Sequence, residues 1–153
     1  MPADRGPDRL DARQAVAYRI SPGDTVKLAL VRGPDEHYDA SVFLEIWEPG
    51  GAQPPNGHPR SVETFFFLAG AGTAHCDDRE VDVEAGQLLV LPERSLHRIV
   101  NTSATKLVAI TTMTPDDGFA ALVLAGEPTP ITEDELALVG WSDPRSLDEP
   151  GSS

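Results

Sequence analysis

Between residues 15 and 114, apolar and β-branched side chains come in short runs, each cut by residues that turn the backbone. The runs cover 15–20, 25–32, 39–47, 62–69, 73–76, 80–83, 87–91, 96–101 and 105–114. They are short and carry many Val, Thr, Phe and Ile residues, so they read as strands. Between them stand turn formers such as Ser21-Pro22-Gly23-Asp24, Gly33-Pro34-Asp35, Gly70-Ala71-Gly72, Asp77-Asp78-Arg79 and Glu84-Ala85-Gly86. Such signals recur about every eight to twelve residues, the rhythm of a sandwich or small barrel.

Two runs show which faces are buried. In 41–47, Val42, Leu44 and Ile46 fall on one face and Phe43, Glu45 and Trp47 on the other, so both sides of the sheet should be covered. In 62–69, Glu63 shares a face with Phe65 and Phe67. A carboxylate among aromatic rings is costly unless a metal, an arginine or a proton neutralises it. An ion pair with Arg60 or Arg98 is the simplest alternative to a metal.

After Thr114 the period changes. Thr114 with Pro115, two aspartates and the apolar run 119–124 predicts a short helix starting at Pro115 and ended by Ala125-Gly126. Thr132-Glu133-Asp134-Glu135 is a capping box that predicts a second. The expected organisation is a polar arm over 1–14, a β domain over 15–114, a helical segment over 115–140 and a disordered tail over 141–153.

At 153 residues the chain suits one domain with a real core. Its formal charge of −13, with only 12 scattered Lys and Arg, speaks against nucleic acid as a partner. The N-terminal stretch has neither the apolar core of a signal peptide nor a membrane span, and the lone cysteine, Cys76, reads as a small buried hydrophobe. A cytoplasmic protein with no membrane partner is therefore expected. Neither a phosphate-binding glycine loop nor a serine on a nucleophile elbow is present; Ser61 and Ser95 merely lie near histidines.

Chemistry concentrates in 47–70, where Asn56, His58 and Glu63 precede and open a strand. Imidazole and carboxylate together suit a divalent transition metal. His97, several hairpins later, can fold back beside them as a third ligand.

These residues also keep the spacing of a known family. Gly50, Asn56, His58, Glu63 and Gly70, followed by Gly86, Pro92, Arg94, His97 and Asn101, resemble the two motifs of the cupins, except that Asn56 replaces the first histidine and Arg94 a turn glycine. The resemblance implies an all-β fold, a double-stranded β-helix or jelly-roll barrel, with one or two short C-terminal helices. It further implies a metal inside the barrel on His58, Glu63 and His97, with Asn56 either a weak amide ligand or none. Fe(II) is the expected metal, with Mn, Zn, Ni or Co as alternatives, and a homodimer is the expected assembly.

Three functional readings follow. The first is an Fe(II) dioxygenase acting on a small organic substrate, aromatic or carboxylate. The second is an isomerase, lyase or cyclase using the metal as a Lewis acid, and the third is a non-catalytic binding module. Trp47, Phe65, Phe67 and Met113 are candidates for the substrate pocket wall, and Arg60 and Arg98 for holding a substrate carboxylate.

Overall fold

The computed structural model describes residues 6–142. Ten strands and two short helices follow one another along these described residues, with a single turn of 3-10 helix at Ala12–Gln14. Strands β1 (Ala17–Arg19), β2 (Val26–Arg32), β3 (Ser41–Trp47), β4 (Val62–Ala69), β7 (Leu88–Leu91), β9 (Leu107–Thr114) and β10 (Glu127–Thr129) form one sheet in the order β10-β1-β2-β3-β9-β4-β7. Strands β5 (Ala71–Cys76), β6 (Arg79–Glu84) and β8 (His97–Val100) form a second, ordered β6-β5-β8. All pairings are antiparallel.

The alternation in β3 decides how the layers are filled. Phe43 and Trp47 join Phe65, Phe67, Leu91, Ile99 and Leu107 in the cluster that fills the barrel. Leu44 and Ile46, pointing the other way, pack with Ala17, Ala29 and Val108 beneath Ile131, Val139 and Trp141. The large sheet is thus covered on both faces, and each buried aromatic contributes roughly 2–3 kcal/mol of hydrophobic stabilisation. The C-terminal cover is held by charge as well: Lys27 and Glu135 are both buried and ion-paired, and Lys106 meets the same carboxylate at 2.8 Å.

Helix α2 (Glu133–Leu138) starts with the expected capping box between Thr132 and Glu135. Helix α1 (Phe119–Leu124) does not start at Pro115. The Thr114–Pro115 peptide is cis, Asp117 and Gly118 have positive φ, and the helix begins only at Phe119. Asp116 satisfies its first turn by accepting from the Ala120 N–H at 3.0 Å. The polar residues 115–118 therefore form a turn, which sequence periodicity cannot distinguish from a first helical turn. Likewise Gly70 alone turns the chain, with φ at 86°, and Ala71 and Gly72 already belong to β5.

Strand β10 carries Pro128 and is only three residues long, which hides it from pattern reading; it pairs at the edge with β1. In the expected arm, Asp11 caps the 3-10 turn, and Arg13 reaches the Ser142 carbonyl at 3.1 Å. Most of the tail expected over 141–153 lies outside the described residues, as does the start of the arm. No helix among the described residues is long and apolar enough to cross a membrane.

Candidate metal centre

Three elements bring the site together. The loop after β3 runs back along β8, with bridges between Ala52 and Val100 and between Asn56 and His97. In the second bridge the Asn56 N–H donates to the His97 carbonyl at 3.0 Å, and the His97 N–H donates to the Asn56 carbonyl at 2.8 Å. The turn before β8 locks the same loop from its other side, as the Arg94 N–H donates to the His58 carbonyl at 2.8 Å. Arg94 makes this bond at φ 66°, so the residue replacing a turn glycine adopts the left-handed conformation itself. Gly57 is needed for close approach, because a Cβ there would lie 2.7 Å from the Ser95 carbonyl oxygen.

Glu63 opens β4 on the other sheet. Its register partners are Leu91 and Met113, both buried, so its carboxylate sits in an apolar frame. Inside that frame it meets two imidazoles and no arginine. His97 Nε2 lies 2.9 Å and His58 Nε2 3.5 Å from Glu63 Oε2, and the ligand atoms of the three residues lie within 4.8 Å of one another. Burial drives the Glu63 carboxyl up, but the neighbouring imidazoles outweigh it and hold the group below its ordinary value.

All three facing atoms are buried without an aligned hydrogen bond. Buried polar atoms that meet only one another are costly, and a cation between them removes that cost. The tautomer of His97 fits as well. Ser95 Oγ donates to the Pro92 carbonyl at 2.7 Å, leaving it as acceptor for His97 Nδ1–H at 3.4 Å, so that Nε2 keeps its lone pair for a metal. The donor set therefore fits a divalent transition metal held by two histidines and one carboxylate.

The cluster opens onto a cavity of about 320 Å³, lined by His58, Glu63 and Asn56 together with Glu45, Gln53 and Phe119 among others. The Phe119 ring packs edge-on against His58 at 5.4 Å and against Phe43 at 5.3 Å. The Asn56 amide donates to the Pro54 carbonyl at 2.9 Å. Glu45 is fully buried, takes hydrogen bonds from Gln53 and Thr111, and is pushed up to about 8 by burial and then by the charge of Glu63.

The residues expected to contact substrate lie elsewhere. Trp47, Phe65 and Phe67 form an aromatic cluster in the barrel core, with centroids 6.2–6.5 Å apart. Met113 is buried beside Glu63, and none of these four lines the cavity. Arg98 points outward from β8, since His97 and Ile99 take the inner face. Arg60 is exposed, 3.9 Å from Asp117, and its guanidinium is not part of the cavity wall. Cys76 is half-buried against the core.

Glu45, Gln53 and Phe119 were not singled out from the sequence. For Glu45 the signal was present, a carboxylate on the face of β3 shared with Phe43 and Trp47. Gln53 and Phe119 gave none, because a loop glutamine and a helical phenylalanine have many ordinary uses.

Comparison with known proteins agrees with this architecture. The cupin domain family matches residues 43–113. Germin-like protein 3-5 of rice, Oryza sativa subsp. japonica, is 33% identical over 94 residues, a match covering 54% of this chain and 41% of the relative. The chain thus spans about two fifths of the length of such curated relatives. A predicted oxalate decarboxylase from Thermotoga maritima superposes with a TM-score of 0.60 at 20% identity, covering 69% of this chain and 97% of that one. KdgF from Halomonas sp. gives 0.60 at 15% identity, covering 72% and 94%. At such identities these two likenesses concern the fold alone. Both motifs lie within the match to the cupin domain family over residues 43–113, and the fold around them is that of the cupin barrel.

Proposed function

We propose that this protein is a metal-dependent cupin enzyme, a mononuclear Fe(II) dioxygenase-type oxidoreductase acting on a small organic molecule. His58, Glu63 and His97 would hold the metal. Asn56, on the cavity wall beside them, would leave a position open for substrate. The observation that supports this reading is the convergence of three buried, otherwise unpartnered ligand atoms at the edge of a cavity. Two histidines and one carboxylate with open positions are the set that non-haem Fe(II) oxygenases use. The bound metal would supply Lewis acidity and, as iron, the capacity to react with O2.

The chain's own residues do the rest. Ser95 keeps His97 in the tautomer that can ligate, and Phe119 shields the His58 ring from water. Val26, Leu28 and Leu122 give the substrate an apolar wall. Elemental analysis of protein purified without added metal tests the premise. About one equivalent of a transition metal is expected, falling well below that in His97→Ala, because one of three strong ligands is lost. Wild-type and variant protein equally empty, or equally loaded, would count against the site. Oxygen uptake that depends on added Fe(II) tests the reaction class.

A second reading, a Lewis-acid isomerase or lyase, is favoured by Glu45, a cavity carboxyl able to hold or release a proton near neutral pH. Turnover that persists without oxygen selects it.

A further inference from the structure

The cavity holds a second polar station. Glu45 lies mid-way along β3, opposite Leu28 and Ala109, and lines the cavity wall. Both its oxygens are held: Gln53 Nε2 donates to Oε1 and Thr111 Oγ1 to Oε2 at 2.8 Å. Gln53 is itself fixed by the Ile99 N–H, which donates to its Oε1 at 3.2 Å. This is a built constellation, and when the group is ionised each of its oxygens has capacity for one more donor.

Among the described residues, no lysine or arginine lines the cavity wall. Its charged or titratable side chains are Asp24, Glu45, His58, Glu63 and Asp117. Asp24 is tied to the Ser21 N–H at 2.8 Å, and Asp117 faces the exposed Arg60 at 3.9 Å. The remaining wall is largely apolar. A ligand carrying a free carboxylate into this space would meet carboxyl groups on several sides and no side-chain cation, a mismatch that specificity by repulsion exploits. A ligand with a hydrogen-bond donor finds an acceptor in Glu45 and an apolar wall for its body. The volume, about 320 Å³, suits a body the size of an aromatic ring.

We propose that Glu45 is the specificity-determining residue of this cavity, and that it selects ligands presenting an amine or hydroxyl on an apolar body over ligands presenting a carboxylate. The inference rests on the reading of the cavity as a substrate site and deepens it, but it does not require the metal.

The test titrates the 153-residue chain as purified, at pH 9 where Glu45 is ionised, metal content measured on the same sample, with benzylamine, benzyl alcohol and benzoate by calorimetry. These probes share a ring and differ in the polar group. Benzylamine or benzyl alcohol should bind at least about tenfold more tightly than benzoate, and the order of those two tells whether the donor is charged or neutral. Glu45→Gln should reduce that preference by about tenfold or more while thermal melting shows a folded protein. Benzoate within roughly threefold of the better donor probe, no binding of any probe, or a folded Glu45→Gln with its preference intact overturns the proposal. If Glu45→Gln does not fold, the wild-type ratio decides alone. A sample without metal that keeps the preference separates this inference from the metal reading; a metal-loaded sample that prefers benzoate separates them the other way.

Discussion

Glu45 and Glu63 are two carboxylates on inward faces of neighbouring parts of one sheet, and their surroundings drive them apart. Glu63 faces two imidazoles and is held below its ordinary value; Glu45 accepts from a hydroxyl and an amide, and burial, then the charge of Glu63, raises it from 4.5 to about 8. Between those two values the folded protein keeps a proton on Glu45 that the unfolded chain has released. Stability linked to this group is therefore greatest in acid, falls as pH rises from about 4.5, and levels off above about 8. The slope approaches 1.4 kcal/mol per pH unit for one such proton, so the total is on the order of a few kcal/mol. Glu45→Gln should melt at a temperature near that of the parent at pH 5 and clearly above it at pH 8.5. Equal differences at both pH values would show that the carboxyl does not carry this linkage. Sequence reasoning recognised the burial problem at Glu63 and applied the same pattern at Glu45 only to the sheet. Which donors surround either carboxylate depends on residues far away in the chain, Thr111 in one case and His97 in the other.

At the scale of elements, the site depends on a loop, a turn and strand β4 meeting in a fixed register. The loop after β3 and the turn before β8 touch so closely that Gly57 has no room for a Cβ, with the Ser95 carbonyl oxygen 2.7 Å from where it would sit. Gly57→Ala should push the loops apart, destabilise the fold by about 1–3 kcal/mol and weaken metal retention, because His58 and His97 sit on the two sides of that contact. Denaturant melts and metal content measured on the same preparation check it. A variant with unchanged stability and metal content would show that the loops yield without disturbing the ligands. Strand and turn positions were largely legible along 15–114, since their alternation and turn residues are local properties. The start of α1 was not: residues 115–118 have helix-like composition, but their backbone is set by contacts with the barrel, including the Ser61 hydroxyl, which donates to the Pro115 carbonyl.

Over the whole molecule, the barrel leaves one edge apolar. Phe66 on β4 stands opposite Leu88 on the edge strand β7, and Val90 follows on the same face; all three are exposed, at 44%, 60% and 54%. An edge strand with bulky apolar side chains is a template for pairing. The homodimer expected from the family resemblance has its candidate surface here. Sedimentation should find a dimer for the parent chain and a monomer for Val90→Lys; a parent monomer, or a variant that still dimerises, would move the interface or remove it.

The sequence by itself determined the β architecture, the two-faced burial of β3, the capping box of α2 and the three residues of the His-Glu-His cluster, because alternation, caps and motif spacing are written in neighbouring positions. Only the tertiary structure decided what surrounds them. Trp47, Phe65, Phe67 and Met113 are as apolar as any pocket wall, yet close packing takes them into the core, while Phe119 arrives from a helix and Gln53 from a loop to line the cavity instead. Arg98 lies beside His97 in sequence and outside the cavity in space, since the two faces of a strand part chain neighbours, and Arg60, in the bend before β4, is exposed towards Asp117. Charge in a cavity is a sum over segments that meet only on folding.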